Sequence, residues 1–464
     1  MSTANYLPVG EIDEDVVNVR DVEHLQCLLE SNPSQPVRCV GSGWSWNGLR
    51  SAGRTGLTIR LSGEDFTEIQ KDRSGLYWVG AGARIYDVHM QMERTGRELS
   101  LKGGCINSYS SQTIGGVLAN SVHDTQFLHR ESIAAVTVAT TDINGKFRVD
   151  TWESGSPEYK ATIGAYGRSG IVIRAKLHTY PQRGYMSEIF RSKSTDLDQL
   201  GSDFICDLER GKNGLLFGMQ YTIVGSEVAK EYTTLHEIPV EFMPTSWGTR
   251  WDGRIEWLVC KIMNLITWSS RSYVNAANLV SWYRRVKSGG IERTRAQTYA
   301  MSSAGPAGTH VSFVPHAEGG VFFPVEYGPS FLSILREYPY LIGASILIWR
   351  VVPQDEHSFL GPTSSSTNQG LWWSADFAFE ALDERARTEF ILLSERLMKK
   401  YPQKVRWHTG KVLSTLALDP HLTHESVMFT KAEAIYKRCD PSSRFYPTGT
   451  IPYMGHSRCE SYKQ

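Results

Sequence analysis

The sequence predicts an α+β protein of more than one domain, and three observations carry that expectation. The chain has 464 residues, enough for two or three substantial cores. Its first 180 residues alternate short apolar strands with glycine-rich loops and a few helices. Beyond residue 182 the glycine loops thin out, and strands alternate with long helical patterns. The division read from this is 1–181, 182–404 and a C-terminal segment, 405–464.

Asp21 to Glu30 has helical apolar spacing at Val22, Leu25 and Leu29, stopped by Pro33 and Pro36. Val37 to Val40 is a short strand running into Gly41-Ser42-Gly43-Trp44-Ser45-Trp46-Asn47. Small residues at a strand end let backbone N–H groups approach an anion, so this loop suits a phosphate. Thr58 to Leu61 and Tyr77 to Gly80 are further strands, and Ile85 to Thr95 is a helix closed by Gly96. A glycine-rich stretch follows: Gly103-Gly104-Cys105-Ile106-Asn107-Ser108, then Thr113 to His123 with Gly115, Gly116, Asn120 and Ser121. Such a run packs closely against something flat or charged. Ala134 to Ala139, Phe147 to Val149 and Ile171 to Leu177 are strands, the last containing Val172.

In the second region, Leu215 to Ile223, Val311 to Val314, Phe322 to Tyr327, Ser345 to Val352 and Trp372 to Phe379 are expected as strands. Trp257 to Val286 is an apolar, aromatic and basic helical stretch. A buried helix pair is favoured there over a helix lying on a membrane, and peripheral membrane contact stays open. Asp383 to Lys400 is a helix with Lys399 and Lys400 in its last turn. His408-Thr409-Gly410-Lys411 and a helix around Glu425 to Lys437 close the chain.

Composition narrows the function classes. Forty-nine basic and 49 acidic side chains balance, which argues against nucleic acid as the main partner. Seven scattered cysteines without a Cys-x-x-Cys make neither a disulfide framework nor a zinc ribbon, and no metal is expected. Reduced thiols, no apolar signal core and no run of about 20 apolar residues predict a cytoplasmic chain without a spanning helix.

Four segments, in order, resemble the flavoproteins of the vanillyl-alcohol-oxidase type, in the branch of aldonolactone and alditol oxidases. Gly41 to Asn47 is similar to that family's Gly-x-Gly-His-Ser loop. Thr113 to His123 is similar to its Val-Ala-Gly…Thr-Gly-Thr-His segment. Val325-Glu326-Tyr327 and Ile348-Trp349-Arg350-Val351 resemble Met-Glu-Tyr and Glu-x-Arg-x. His408 to Lys411 resembles His-Trp-Gly-Lys.

The resemblance implies a PCMH-type FAD-binding domain of two α/β subdomains. It adds an α+β cap whose mixed or antiparallel sheet covers the flavin. It implies oxidation of a CH–OH group in a sugar lactone, polyol or related alcohol, with hydride passing to flavin N5 and O₂ or another acceptor reoxidising the flavin. The alternative is an oxidase or oxidative cyclase of a natural product; a non-redox scaffold is a third. For FAD the implied contacts are Gly41, Ser42, Gly43, Trp44, Ser45, Asn47, Cys105, Ser108, Thr113, Gly115, Gly116, Asn120, Ser121, His123, Val172 and His408. Arg350, Lys411 and His408 would be catalytic, and Thr113, Ile348, Arg350, Trp373 and Lys411 would bind substrate.

Two departures stand out. Trp44 occupies the place of a histidine that links flavin covalently in many relatives, and indole cannot make that bond. FAD is therefore expected to be non-covalent, with a thioether from Cys105 as the rival. Ile348 occupies the place of the family's glutamate and cannot bind a hydroxyl, which favours a flatter, more apolar ligand beside Trp349, Trp372 and Trp373. Glu326 is the candidate substitute carboxylate.

Overall fold

The computed structural model describes residues 16–43, 45, 52, 55–99, 112–123, 132–182, 184–190, 193–194, 206, 218–224, 227–238, 291–295, 316–367, 370–380, 383–408, 410–412 and 424–445. The expected helices of 257–286 and the strand 311–314 lie outside the described residues. None of the described helices is long and apolar enough to cross a membrane.

Among the described residues the first region builds two main sheets and a two-stranded pairing of Arg97–Glu98 with Tyr180–Pro181. Strands β1 (Val17–Val19), β2 (Val37–Cys39) and β3 (Leu57–Leu61) pair in parallel, with β3 central. Helix α1 (Val22–Ser31) connects β1 to β2. Its N-cap is Asp21, whose side chain accepts the His24 N–H, and Leu25 and Leu29 are its buried face. After the one-turn α2 (Glu64–Thr67) come β4 (Ile69–Lys71) and β5 (Tyr77–Gly80). Helices α3 (Ile85–Arg94) and α4 (Ile114–Ala119) flank the short β6 (Arg97–Glu98). Strands β7 (Ile133–Thr141), β8 (Phe147–Glu153) and β9 (Ile171–Leu177) follow, with α5 (Pro157–Thr162) between the last two. They complete an antiparallel sheet in the order β4-β5-β9-β7-β8. Both sheets contribute to one core that includes Ile59, Val79, Ile114, Val138 and Val172.

The second region is one large antiparallel sheet. Its strands, after the short β10 (Tyr180–Pro181), are β11 (Gly184–Phe190), β12 (Lys193–Ser194), β13 (Gly218–Val224), β14 (Glu227–Ile238), β15 (Ile291–Arg295), β16 (His316–Pro324), β17 (Ser345–Pro353), β18 (Leu371–Glu380) and β19 (Arg406–Trp407). The order is β15-β11-β14-β13-β17-β18-β16-β19, with β12 on β14. Strand β16 stops at Pro324 and a 3-10 turn covers Val325–Tyr327, so the expected strand to Tyr327 is shorter.

Alternation gives this sheet two unlike faces. Trp349, Trp373, Phe377, Phe323 and Trp407 share a core with Phe331, Leu341 and Phe390. Those three come from α6 (Gly328–Leu335), α7 (Pro339–Ala344) and α8 (Glu384–Lys400). The opposite face carries Ile348, Arg350, Ser374, Asp376, Glu318 and Phe322, as the cross-strand register requires. It meets the first region through His123.

The C-terminal segment returns to the first region. Helix α9 (Ser426–Cys439) packs Met428, Ala432, Ile435 and Tyr436 with Ala161 and Ala165, and Phe445 joins the first core. Cys27, Cys39 and Cys439 are free thiols.

Candidate active site

Two glycine segments of the first region meet. A Cβ on Gly41 would lie 2.3 Å from Thr113 Oγ1, so the loop after β2 closes against the start of α4 only without a side chain. Thr113 caps α4, accepting the Gly116 N–H at 3.3 Å. Gly43 has φ +83° and open space where a Cβ would stand. Ser42, Ser45, Gly115, Gly116 and Asn120 are half-buried around this meeting point, while Ser121 is buried with φ 44°. Val172 lies in the core of the β-sheet. Trp44, Asn47, Cys105 and Ser108 lie outside the described residues.

The opposing wall is the polar face of the large sheet. Arg350 Nη1 donates to Asp376 Oδ2 at 2.9 Å, and Lys411 Nζ donates to Asp376 Oδ1 at 2.7 Å. Lys411 also pairs with Glu318 at 3.1 Å. A Cβ on Gly320 would sit 2.5 Å from Asp376 Oδ1 and 3.3 Å from Lys411 Cδ, so this glycine makes room for the cluster. The turn carrying His408 and Lys411 follows β16 through His408 N–H to Gly320 O (2.8 Å) and Val412 N–H to Glu318 O (2.7 Å).

The two walls touch at His123. Its Nε2 lies 3.5 Å from Ser374 Oγ, which donates to Asp376 Oδ2 at 3.2 Å. Its ring stands edge-on to Phe322 at 4.9 Å and 5.4 Å from the ring of His408.

Burial and charge set the protonation states. Burial alone would raise the Asp376 carboxyl, but Lys411, His123 and Arg350 outweigh it and hold it at about 2. Burial would lower Lys411, yet Asp376 and Glu318 push its ammonium above the usual value. Burial, then Lys411 and His123, push His408 well below the ordinary histidine value, so the ring is neutral. The Gly410 N–H donates to His408 Nδ1 at 3.2 Å, so the neutral ring carries its proton on Nε2.

The expected site residues thus divide. Arg350, Lys411, His408, His123 and Ile348 come together at one wall. Trp373 does not: with Trp349 it lies behind the sheet, 6.0 Å from that ring and fully buried. The reason is register, because Arg350 pairs with Ser374, and residue 373 therefore points the other way. Trp372 is on the site's face but is buried with Phe322 and Val352, beneath the Arg406 guanidinium at 5.0 Å. Glu326 is exposed in the 3-10 turn, so it does not replace the missing carboxylate. Asp376 does stand against the arginine, directly opposite Ile348 on the neighbouring strand. Sequence reasoning missed Asp376, Ser374 and Glu318, although an acid in an apolar strand already asks for a buried partner.

A family model described as an FAD binding domain matches residues 14–146. No curated protein matches the chain. Among solved structures, cholesterol oxidase from B. sterolicum superposes with a TM-score of 0.63 at 11% identity over 92% of each chain. A histidine-to-alanine variant of Brevibacterium sterolicum cholesterol oxidase gives 0.65 at 10% identity, over 94% of this chain and 93% of that one. A solvent-stable cholesterol oxidase gives 0.62 at 12% identity over 92% of each. At such identity these likenesses show the fold. The chain carries an FAD-binding domain of PCMH type under an α+β cap, and its cofactor is FAD. The residues fit that group: the Gly41–Thr113 contact forms a close-packed floor, and Gly43 leaves its outer side open.

Proposed function

We propose that this flavoprotein is an oxidoreductase that converts a CH–OH group to a carbonyl. The observation that supports it is the set of half-buried Arg350 with buried Asp376 and Lys411 against the cap sheet, reached by His123 of the FAD-binding region through Ser374. In that conversion the substrate gives up a hydride from C–H and a proton from O–H; bound FAD would accept the hydride with its electron pair, and the proton would pass to solvent. O₂ or a second acceptor takes the electrons onward.

The chain's own groups have separable tasks. Gly41, Ser42, Gly43, Ser45, Thr113, Gly115, Gly116, Asn120 and Ser121 would hold the diphosphate and ribose. Arg350 and Lys411 set positive charge beside the reacting oxygen. His408 is neutral with Nδ1 already engaged, so it offers the Nε2–H as a donor to that oxygen. The sheet face excludes water with Phe322 and Val352.

For the substrate, the reading rests on Ile348, which presents no hydrogen-bonding group beside Arg350. It favours an alcohol with an apolar body, a sterol or another natural product, over a sugar lactone or polyol. The fold shared with cholesterol oxidases points the same way.

The test is the visible spectrum of the purified protein, followed anaerobically as alcohols are added. Yellow that bleaches with cholesterol in detergent and not with galactono-1,4-lactone is expected. Bleaching by the lactone alone would reverse the substrate reading. Absence of yellow after soaking with FAD would remove the oxidoreductase reading. Acid precipitation should leave the colour in the supernatant, since FAD is proposed to be non-covalent.

A further inference from the structure

We propose that Asp376 is the positioning residue of this site: it is the shared anion that fixes Arg350 and Lys411 and offsets their charge, so that an uncharged hydroxyl compound is admitted and a carboxylate is excluded. For the chemistry of that compound the proposal rests on the oxidoreductase reading above; its electrostatics stand on the chain alone.

Asp376 is 4% exposed and uses both oxygens. Oδ2 takes Arg350 at 2.9 Å and Ser374 at 3.2 Å, while Oδ1 takes Lys411 at 2.7 Å. Each cation therefore has its head held by one side of the same carboxylate. Glu318 is the second anion, on Lys411 at 3.1 Å. The charged groups facing one another are thus Arg350 and Lys411 against Asp376 and Glu318. Two imidazoles pack on the cluster: His408 is neutral, while His123 adds a positive field that lowers both Asp376 and His408. A substrate carboxylate would have to compete with Asp376 and Glu318 for cations they already hold, and a buried charge short of partners is costly. A hydroxyl brings no such penalty and can accept from a cation already in place.

Asp376 is not read as the proton acceptor of the reaction. Its carboxyl is held at about 2, far below the range in which a general base works near neutrality. It acts through the two cations it holds.

The test is calorimetric titration of the full chain, as purified, with benzoate. Wild type should show no binding at millimolar benzoate. Asp376→Asn removes one negative charge at nearly constant shape, and should bind benzoate at least tenfold more tightly. Asp376→Glu keeps the charge and should return to wild-type behaviour. Wild type binding benzoate as tightly as Asp376→Asn would overturn the proposal, as would Asp376→Glu behaving like Asn. If Asp376→Asn fails to fold, Glu318→Gln carries the test. It leaves the same excess of positive charge while Arg350 stays paired, so it must gain benzoate affinity, and no gain would overturn the proposal. Calorimetry follows benzoate and not turnover. A benzoate gain in a protein that no alcohol bleaches would reject the proposed reaction alone. Bleaching by alcohols with no benzoate gain would reject the role of Asp376 alone.

Discussion

The backbone N–H of Gly410 donates to Nδ1 of His408, and this contact decides which ring nitrogen holds a proton. A second proton would have to break it, inside a site where burial, Lys411 and His123 already oppose positive charge. His424 is also kept neutral, but by burial and not by an engaged acceptor nitrogen. Burial, reinforced by Arg406, pushes it down to about 3, and its Nε2 is bonded to Leu360 O at 3.1 Å.

These two histidines predict acid lability. Both have folded values below the ordinary 6.5, so the unfolded chain takes up protons first as pH falls. Their stabilisation is complete above pH 6.5 and is lost below it, at about 1.4 kcal/mol per pH unit for each histidine. Urea unfolding at pH 7, 6 and 5 measures the slope. His424→Gln, which keeps a donor for Leu360, should reduce it by roughly one proton's worth; an unchanged slope would refute the assignment.

The two faces of the large sheet predict opposite phenotypes for Ile348 and Trp373. Ile348→Asn places a hydrogen-bonding group beside Arg350 and should raise KM for an apolar alcohol several-fold with little effect on stability. Trp373→Ala empties a core site behind the sheet. It should cost about 3–5 kcal/mol of stability and leave the ranking of substrates unchanged. The comparison needs kinetics on two alcohols and one unfolding curve. A substrate shift from Trp373→Ala, measured while it is still folded, would contradict the placement.

Much of the scaffold was legible because local chemistry decided it. Asp21 and Asp383 announce helix starts, and both cap them, while Ile171 to Leu177 is the strand expected. The structure puts Gly41 against Thr113, and His408 and Lys411 on the turn that follows β16. The centre of the site was not legible, because Asp376 meets Arg350 and Lys411 across 26 and 35 residues of chain. Pairing of β17 with β18 brings Asp376 to Arg350, and pairing of β18 with β16, along which the Lys411 turn runs, brings it to Lys411; a strand's register is not written in the strand itself. The same ignorance of register put Trp373 in the pocket and left Asp376 out.

Gly41 predicts a clash that can be relieved. Gly41→Ala would drive a methyl to 2.3 Å from Thr113 Oγ1 and should lower the FAD retained per chain at least tenfold. Thr113→Ala alone loses the α4 cap, worth about 1 kcal/mol. The double variant should retain more FAD than Gly41→Ala, since the next Thr113 atoms lie at 3.5 Å, an ordinary contact. Absorbance of released flavin measures this. Strictly additive losses would show that the two residues do not press on each other.

Arg444 predicts that the C-terminal segment stabilises the FAD-binding region. It is 3% exposed. Its guanidinium donates to Leu29 O at 3.2 Å and Asn32 O at 2.6 Å, closing the end of α1, and also to Gln35 O and Thr141 Oγ1. Its own carbonyl accepts the Val37 N–H at 2.9 Å, at the start of the strand that leads into Gly41. Asp440 holds the turn by accepting the Arg444 and Phe445 N–H groups. Arg444→Ala would strand the buried Leu29 carbonyl and two half-buried ones at once, at a cost of about 3 kcal/mol. Arg444→Lys should recover little, because one ammonium cannot span acceptors arranged for a planar fork. Because β2 is tied to the same residue, FAD retention should fall together with stability in both variants. Full stability in Arg444→Ala, or lost stability with undiminished FAD, would separate the segment from the cofactor loop.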